Sequence, residues 1–203
     1  MTETATNRTS PRRAPRAMIT HGYWANPDRH WFRWLAGKLT ADGYDVTVPA
    51  MPDPKYPRRD AWMSTMAAAL PPADLTAETL LVGHSLGCYA TLHYLQDAAP
   101  ATPIAGVLLV SGFDRPLASA APDLDLINLF IAEPLDFDAL RRSARHFTII
   151  SAADDPIVPH AFSRELAEKL GARFVPQPTG GHFMQDDGFK ELPLAYDELR
   201  RMM

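Results

Sequence analysis

A serine between two glycines at a fixed spacing is the first feature of this sequence that could do chemistry. Residues 80–88 are LLVGHSLGC, which places Ser85 between Gly83 and Gly87 in a G-x-S-x-G pattern. The apolar run before it is typical of a buried strand, and the residues after it are typical of a helix. A sharp turn between the two lifts a serine hydroxyl clear of the sheet and directs the first helical N–H groups toward it. We therefore predict that Ser85 is a nucleophile and that the backbone N–H of Leu86 stabilises an oxyanion. The alternative is a tight glycine turn whose serine only caps the helix.

A pair of carboxylates and a histidine follow the serine in the order that such a site requires. A serine hydroxyl is a weak nucleophile and needs a base to accept its proton. His182 follows two glycines late in the chain, where a loop could carry it over the sheet. Asp154 and Asp155 follow a predicted strand and precede a proline, which holds the residue before it extended. We therefore favour Asp155 as the carboxylate that orients His182, with Asp154 as a turn residue bonded to its own backbone. On the residues alone, His182 could also be an ordinary loop histidine.

A second oxyanion donor is predicted after the first strand, in the segment His21-Gly22-Tyr23. The backbone N–H of Tyr23 is the favoured donor and that of Gly22 is the alternative. His21 is interpreted as scaffold, because a base at that position would reverse the usual chain order. We interpret His84 as structural support for the turn. The remaining histidines are predicted to be ordinary surface residues: His30, His93, His146 and His160.

The composition excludes several other classes of function. The chain has 203 residues, a net charge of −4 and a single cysteine, Cys88. This charge argues against a phosphate-backbone binder, so no nucleic-acid partner is expected. There is no apolar run approaching the ~20 residues of a membrane span, and the lone cysteine fits a reducing compartment, so we predict a cytoplasmic protein. With no paired-histidine motif, phosphate loop or dinucleotide fingerprint, we expect no metal and no cofactor.

Short apolar runs alternate with helical patterns, which predicts an α/β fold around a mostly parallel sheet. The predicted strands are 17–20, 45–48, 79–82, 106–110, 147–151 and 172–175, and the predicted helices are 30–39, 61–70, 86–96, 162–170 and 192–203. The proline-rich segment 49–57 and the segment 111–136 are predicted to be irregular, although 124–131 could form a short helix beside the site. We expect residues 1–16 to be a disordered basic tail, with an organelle transit peptide as the alternative that Glu3 and the prolines disfavour, and residues 17–203 to form one domain.

Five motifs together resemble one known family, the small α/β-hydrolase family of retinoblastoma-binding protein 9 and its bacterial relatives. They are His21-Gly22-Tyr23, Met51-Pro52-Asp53-Pro54, Gly83-His84-Ser85-Leu86-Gly87, Asp154-Asp155-Pro156 and Gly181-His182-Phe183. The resemblance implies an α/β-hydrolase-like sandwich with helices on both faces of the sheet and no large cap domain. It also implies a catalytic triad of Ser85, Asp155 and His182.

The function expected from these residues is hydrolysis of a small ester, thioester or amide through an acyl-enzyme on Ser85. The expected partner is thus a small-molecule acyl substrate. The alternative is a protein-interaction module on a hydrolase scaffold, because fold alone does not determine function. For that alternative, the exposed candidates are segments 49–57 and 111–136, which could meet an unidentified protein partner.

Overall fold

Every pair of neighbouring strands in the central sheet runs parallel. The computed structural model describes residues 14–117 and 124–203. The strands are β1 (Arg16–Thr20), β2 (Asp45–Thr47), β3 (Leu80–His84), β4 (Ile104–Val110), β5 (Ala144–Ala152) and β6 (Arg173–Gln177). Their order across the sheet is β2-β1-β3-β4-β5-β6, so β3 and β4 lie at the centre. The carboxyl ends of the strands therefore meet along one edge, where open α/β sheets bind ligands.

Helices cover both faces of this sheet. The α-helices are α1 (Phe32–Ala41), α2 (Arg59–Ala69), α3 (Leu86–Ala98), α4 (Leu124–Phe130), α5 (Phe137–Ser143), α6 (His160–Leu170) and α7 (Pro193–Arg200). The side chains of α1 and α7 pack on one face, and those of α2, α3, α5 and α6 pack on the other. A parallel strand that is covered by helices on both faces is apolar along nearly its whole length. β3 and β4 meet this condition, and every residue in them is buried.

Alternation along the strands divides the core into two layers. Ile19 and Val82 point toward α1 and α7, whereas Met18 and Leu81 point toward α2 and α3. This follows from the two-residue period of a strand, which sends neighbouring side chains to opposite faces. The sheet therefore packs between two apolar layers, and the loops at its carboxyl edge start from well-packed strands.

The predicted fold class is confirmed, and the differences are local. Segment 111–136 contains α4, whose Ile127 and Phe130 are buried while Leu129 is 71% exposed. Helix α5 has no counterpart in the prediction, because it is short and carries three charged side chains. Its N-terminus is capped by Asp136, which accepts the N–H of Ala139 at 2.9 Å.

The chain ends of the domain differ slightly from expectation. Residues 1–13 of the predicted tail lie outside the described residues, and Arg16 is the first residue of β1, paired with Asp45 of β2.

Segment 49–57 forms no helix or strand, as its prolines predict. Within residues 14–117 and 124–203, no helix is long and apolar enough to cross a membrane.

Candidate active site

Ser85 lies at a strained turn between β3 and α3. Its backbone has φ 55° and ψ −125°, a left-handed conformation that is costly for any residue except glycine. Its own N–H donates to the carbonyl of Val110 in β4 at 2.9 Å, which ties the turn to the neighbouring strand. The Ser85 side chain makes no capping hydrogen bond to α3, so the interpretation of this serine as a helix cap is wrong. Such strain persists only where the surrounding structure enforces it, as at a functional site.

The two glycines of the pattern are required by close backbone contacts. A Cβ on Gly83 would lie 2.7 Å from both the Cα of Cys88 and the carbonyl oxygen of Gly87. A Cβ on Gly87 would lie 2.3 Å from the carbonyl oxygen of Thr20. Both distances are far below van der Waals contact, so any larger residue would displace backbone. The first contact allows the chain to fold back on itself around Ser85, and the second lets α3 begin against the end of β1.

His182 and Asp155 form a buried pair at the same edge of the sheet. The Nδ1 of His182 lies 2.9 Å from Oδ2 and 3.1 Å from Oδ1 of Asp155. Both side chains are almost wholly buried. A carboxylate only accepts hydrogen bonds, so Nδ1 carries the proton and Nε2 is left to act as acceptor. Among the described residues the Ser85 hydroxyl makes no hydrogen bond with His182; contacts of this kind often tighten only in the substrate complex.

The Asp155 carboxylate is fixed by more than His182. Its Oδ1 accepts the backbone N–H groups of Ile157 and Val158 at 2.9 and 3.0 Å, and its Oδ2 accepts the hydroxyl of Ser111 at 2.8 Å. Burial alone would raise the pKa of Asp155, but the hydrogen bonds from His182 and the two backbone groups outweigh it and lower the pKa. The carboxylate is therefore held ionised in one orientation.

Asp154 has a different role from the one predicted. Its Oδ1 accepts the N–H of Gly181 at 2.9 Å, a residue 27 positions later in the chain. Asp154 does lie in a turn, as predicted, but its side chain bonds to this second loop and not to its own backbone. Instead, the two adjacent carboxylates both reach the loop that carries His182: Asp155 holds its ring, and the exposed Asp154 holds its backbone.

The loop around His182 is held by three further contacts. One Asp187 oxygen accepts the N–H groups of both His182 and Met184 at 3.0 Å. The indole of Trp31 donates to the carbonyl of Phe183 at 3.1 Å. Finally, Nε2 of His84 lies 2.8 Å from the carbonyl oxygen of His182, so His84 donates and its proton is on Nε2. The interpretation of His84 as support for the turn extends to this second loop.

Three other histidines near the site are held neutral. Burial lowers the pKa of His84 well below its ordinary range, and repulsion from a protonated His182 lowers it further. Burial also lowers the pKa of His21, whose Nδ1 donates to the Gly22 carbonyl while Nε2 accepts the N–H of Met51. His30, predicted to be an ordinary surface residue, is half-buried, and burial is the main reason that its pKa falls to about 4.

The predicted oxyanion donors lie beside the serine. A Cβ on Gly22 would lie 2.9 Å from the Cβ of Ser85 and 3.5 Å from the amide nitrogen of Leu86. The backbone that leads into Tyr23 thus passes directly against the turn. Leu86 is the first residue of α3, and the first N–H groups of a helix have no acceptor within it. The two donor segments therefore converge on Ser85.

A cavity of about 380 Å³ opens at this point. Ser85, His182, Gly22 and Tyr23 all line it, together with His30 and His84. The rest of its wall is mostly apolar and is contributed by Trp24, Ala25, Phe113, Leu117, Leu124, Ile127, Ile157 and Met184, with Arg29 as a charged member. An apolar cavity with a few convergent polar groups is typical of a small-molecule site.

Several residues of this site carry no local sequence signal. Ser111 follows the end of β4 and contacts Asp155, and that position at the carboxyl edge is the one hint available from the sequence. Asp187 and His30 are recognisable only from their contacts across the fold. Over the described parts of the chain, no group of three or more His, Cys, Asp or Glu side chains is arranged to hold a metal ion.

Comparison with known proteins gives the same family along nearly the whole chain. The serine hydrolase family model matches residues 17–201. The chain is 39% identical over 181 residues to the hydrolase YdeN of Bacillus subtilis (strain 168), covering 89% of this chain and 92% of that protein. It is 25% identical over 176 residues to the serine hydrolase RBBP9 of Rattus norvegicus, covering 86% and 84% of the two chains.

Solved structures agree with the sequence comparison. The crystal structure of the B. subtilis ydeN gene product superimposes with a TM-score of 0.86 at 38% identity, covering 93% of this chain and 98% of that one. Est1E from Butyrivibrio proteoclasticus superimposes with a TM-score of 0.69, covering 95% and 89% of the two chains, but at 12% identity it bears on the fold alone. The fold is that of the α/β hydrolases, the predicted family resemblance is confirmed, and this chain belongs to the serine hydrolase family.

Proposed function

We propose that this protein hydrolyses a small ester, thioester or amide through an acyl-enzyme on Ser85. The observation that carries the proposal is the buried His182–Asp155 pair, which opens onto the same cavity as a serine held in a strained turn. His30 and His84 also line this cavity, but they bond to backbone groups, whereas His182 is paired with a buried carboxylate. The membership in the serine hydrolase family supports the same reaction.

The proposed mechanism assigns one role to each group. The Ser85 oxygen attacks the acyl carbon, and its proton passes to Nε2 of His182. Asp155 holds the ring in the required tautomer and stabilises the imidazolium that forms. The N–H groups of Leu86 and Tyr23 stabilise the negative oxygen of the tetrahedral intermediate. His182 then protonates the leaving group, and water hydrolyses the acyl-enzyme by the same steps in reverse order.

The test is removal of the nucleophile. Ser85→Ala is expected to abolish covalent labelling by a fluorophosphonate and to lower turnover of para-nitrophenyl acetate by about 10⁶. Ser64→Ala is the matched control, because Ser64 is exposed on α2 and donates only to the carbonyl of Asp60. Labelling of Ser85→Ala at the wild-type rate would contradict the proposal. A wild-type protein that neither labels nor turns over ester would favour the interaction module.

A further inference from the structure

Arg29 is a charged side chain in the wall of an otherwise apolar cavity. The lining residues of the cavity that the structure describes include no carboxylate and no lysine. Apart from the proposed base, the histidines of the lining are His30 and His84, and both are neutral for the reasons given above. The cavity therefore presents one permanent positive charge, close to the proposed nucleophile.

The charge of Arg29 is not neutralised by its neighbours. Asp28, the adjacent acid, pairs with Arg33 at 2.7 Å. Across residues 14–117 and 124–203, the Arg29 guanidinium makes neither an ion pair nor a hydrogen bond, although most arginines of the fold have a carboxylate or carbonyl partner. Asp186 and Asp187 act on nearby His30, but neither lines the cavity, and Asp187 is occupied by two backbone N–H groups.

The backbone that carries Arg29 is fixed even though its side chain is exposed. The Arg29 N–H donates to the carbonyl of Asn26 at 3.2 Å. The next residue, His30, makes two hydrogen bonds with Gln185: its N–H reaches the side-chain oxygen, and its Nδ1 accepts the Gln185 N–H at 3.1 Å. An exposed arginine on a flexible loop is usually only a solvated charge. Here the loop is anchored to the segment that follows His182.

This anchoring joins the segment that carries Arg29 to the segment that follows the proposed base, His182. Gln185 lies three residues after His182, which must reach the leaving-group atom to protonate it. Phe113, Leu117 and α4 contribute apolar side chains to the lining, against which an acyl chain can leave water.

We propose that Arg29 binds a carboxylate on the leaving group, so that the preferred substrates are esters of a carboxylate-bearing alcohol. The planar guanidinium matches a carboxylate with two parallel hydrogen bonds. This inference rests on the proposed function, because it names the substrate class of the same site. It adds a specificity that neither Ser85 nor His182 can provide.

The experiment compares two esters with the same acyl group, para-acetoxybenzoate and the neutral para-acetoxybenzamide. Arg29→Ala is expected to lower kcat/KM about tenfold for the carboxylate ester, as for loss of one hydrogen bond to a charged group, and to leave the amide within about twofold. Arg29→Lys should restore part of the loss, since it keeps the charge but not the planar geometry. Arg142→Ala is the matched control, because it removes the same charge from an exposed position on α5, outside the cavity, and leaves the Arg33–Asp28 pair intact.

Three outcomes would overturn the inference. An equal fall for both esters would mean that Arg29 only supports the loop. An equal effect of Arg142→Ala would mean that the protein's overall charge is responsible. A selective loss for mono(para-nitrophenyl) glutarate against para-nitrophenyl pentanoate would place the carboxylate on the acyl side instead. Failure of the proposed function is distinguishable, because in that case the wild type would hydrolyse neither acetoxy ester.

Discussion

Ser111 donates its hydroxyl to Asp155 at 2.8 Å, to the same Oδ2 that lies 2.9 Å from His182 Nδ1. The two donors share one oxygen, so a shift of the carboxylate toward either would weaken the other contact. Ser111 is itself held in a left-handed conformation at φ 53°, with its N–H on the carbonyl of Ile150 in β5. Like Ser85, it follows a central strand at the carboxyl edge of the sheet. It is a positioning residue for the proposed base.

Removal of the Ser111 hydroxyl is expected to lower kcat/KM about tenfold, at the low end of what a hydrogen bond to a charged group contributes, because three donors to Asp155 remain. Ser111→Ala and Ser111→Gly should have the same effect, since both lack the hydroxyl. Only the glycine variant also relieves the positive φ at position 111. Comparing the two variants therefore separates the effect of losing the hydroxyl from the effect of relieving backbone strain. Ester turnover and thermal unfolding would be measured together. Full activity of the glycine variant would exclude a role for the hydroxyl.

The two adjacent carboxylates give a second comparison. Asp155→Asn is expected to lower turnover by about 10⁴, because an amide can donate to Nδ1 and stabilise the wrong tautomer of His182. Asp154→Asn should lose less than about tenfold, because an exposed amide oxygen can still accept the Gly181 N–H. Steady-state turnover of the same ester measures both. The reverse ranking would make Asp154 the orienting carboxylate.

Local patterns in the sequence are sufficient to identify the three residues proposed as the centre of the site. Ser85 is recognisable because its two glycines, its preceding strand and its following helix are contiguous in the chain. His182 and Asp155 have weaker local signals, a double glycine and a following proline. Their roles as base and orienter stay predictions, and the Asp155 and Asp154 variants above test the second of these roles.

The supporting contacts could not be predicted in the same way. Asp154 reaches Gly181 across 27 positions and His30 reaches Gln185 across 155, so no short window contains both partners. Helix α5 was missed because a seven-residue helix depends on its Asp136 cap and on packing rather than on periodicity. The errors about His30 and His93 have the same origin: His30 begins a predicted helix and His93 lies within one, where a polar side chain is usually exposed, and only the fold buries them.

Acid should destabilise the protein partly through His30. Its folded-state pKa of about 4 lies below the ordinary 6.5, so between these pH values the unfolded chain binds a proton that the folded chain does not. Stability is therefore lost as the pH falls from 6.5 toward 4. For this half-buried group, screened by solvent, the expected loss is about 1–2 kcal/mol.

His30→Asn should reduce that acid-dependent loss. Asparagine keeps an acceptor for the Gln185 N–H and tolerates the positive φ of 56° at this position. The free energy of unfolding of both proteins is measured with urea at several pH values between 7 and 4. His21 and His84 are present in both proteins, so their contribution to the pH dependence cancels. His146→Asn, on an exposed residue of β5, is the control for loss of a histidine. Identical pH slopes for wild type and His30→Asn would show that His30 is not the group responsible.

The length of the acyl group should be limited by α4. The cavity of about 380 Å³ is near the lower end of the ~300–1,000 Å³ range of ligand pockets, and Ile127 of α4 lines it. We expect kcat/KM to be highest for acetyl to butyryl esters and to decline for octanoyl and longer, because methylenes beyond the cavity gain none of the ~0.8 kcal/mol that burial gives and can enter only by overpacking against α4. Ile127→Ala should raise the octanoyl-to-butyryl ratio several-fold by extending the apolar end of the cavity. Leu129→Ala is the matched control, since Leu129 lies on the same helix but is 71% exposed and does not line the cavity. A steady rise in kcat/KM through dodecanoyl esters in the wild type would refute the size limit and indicate a lipase-like site.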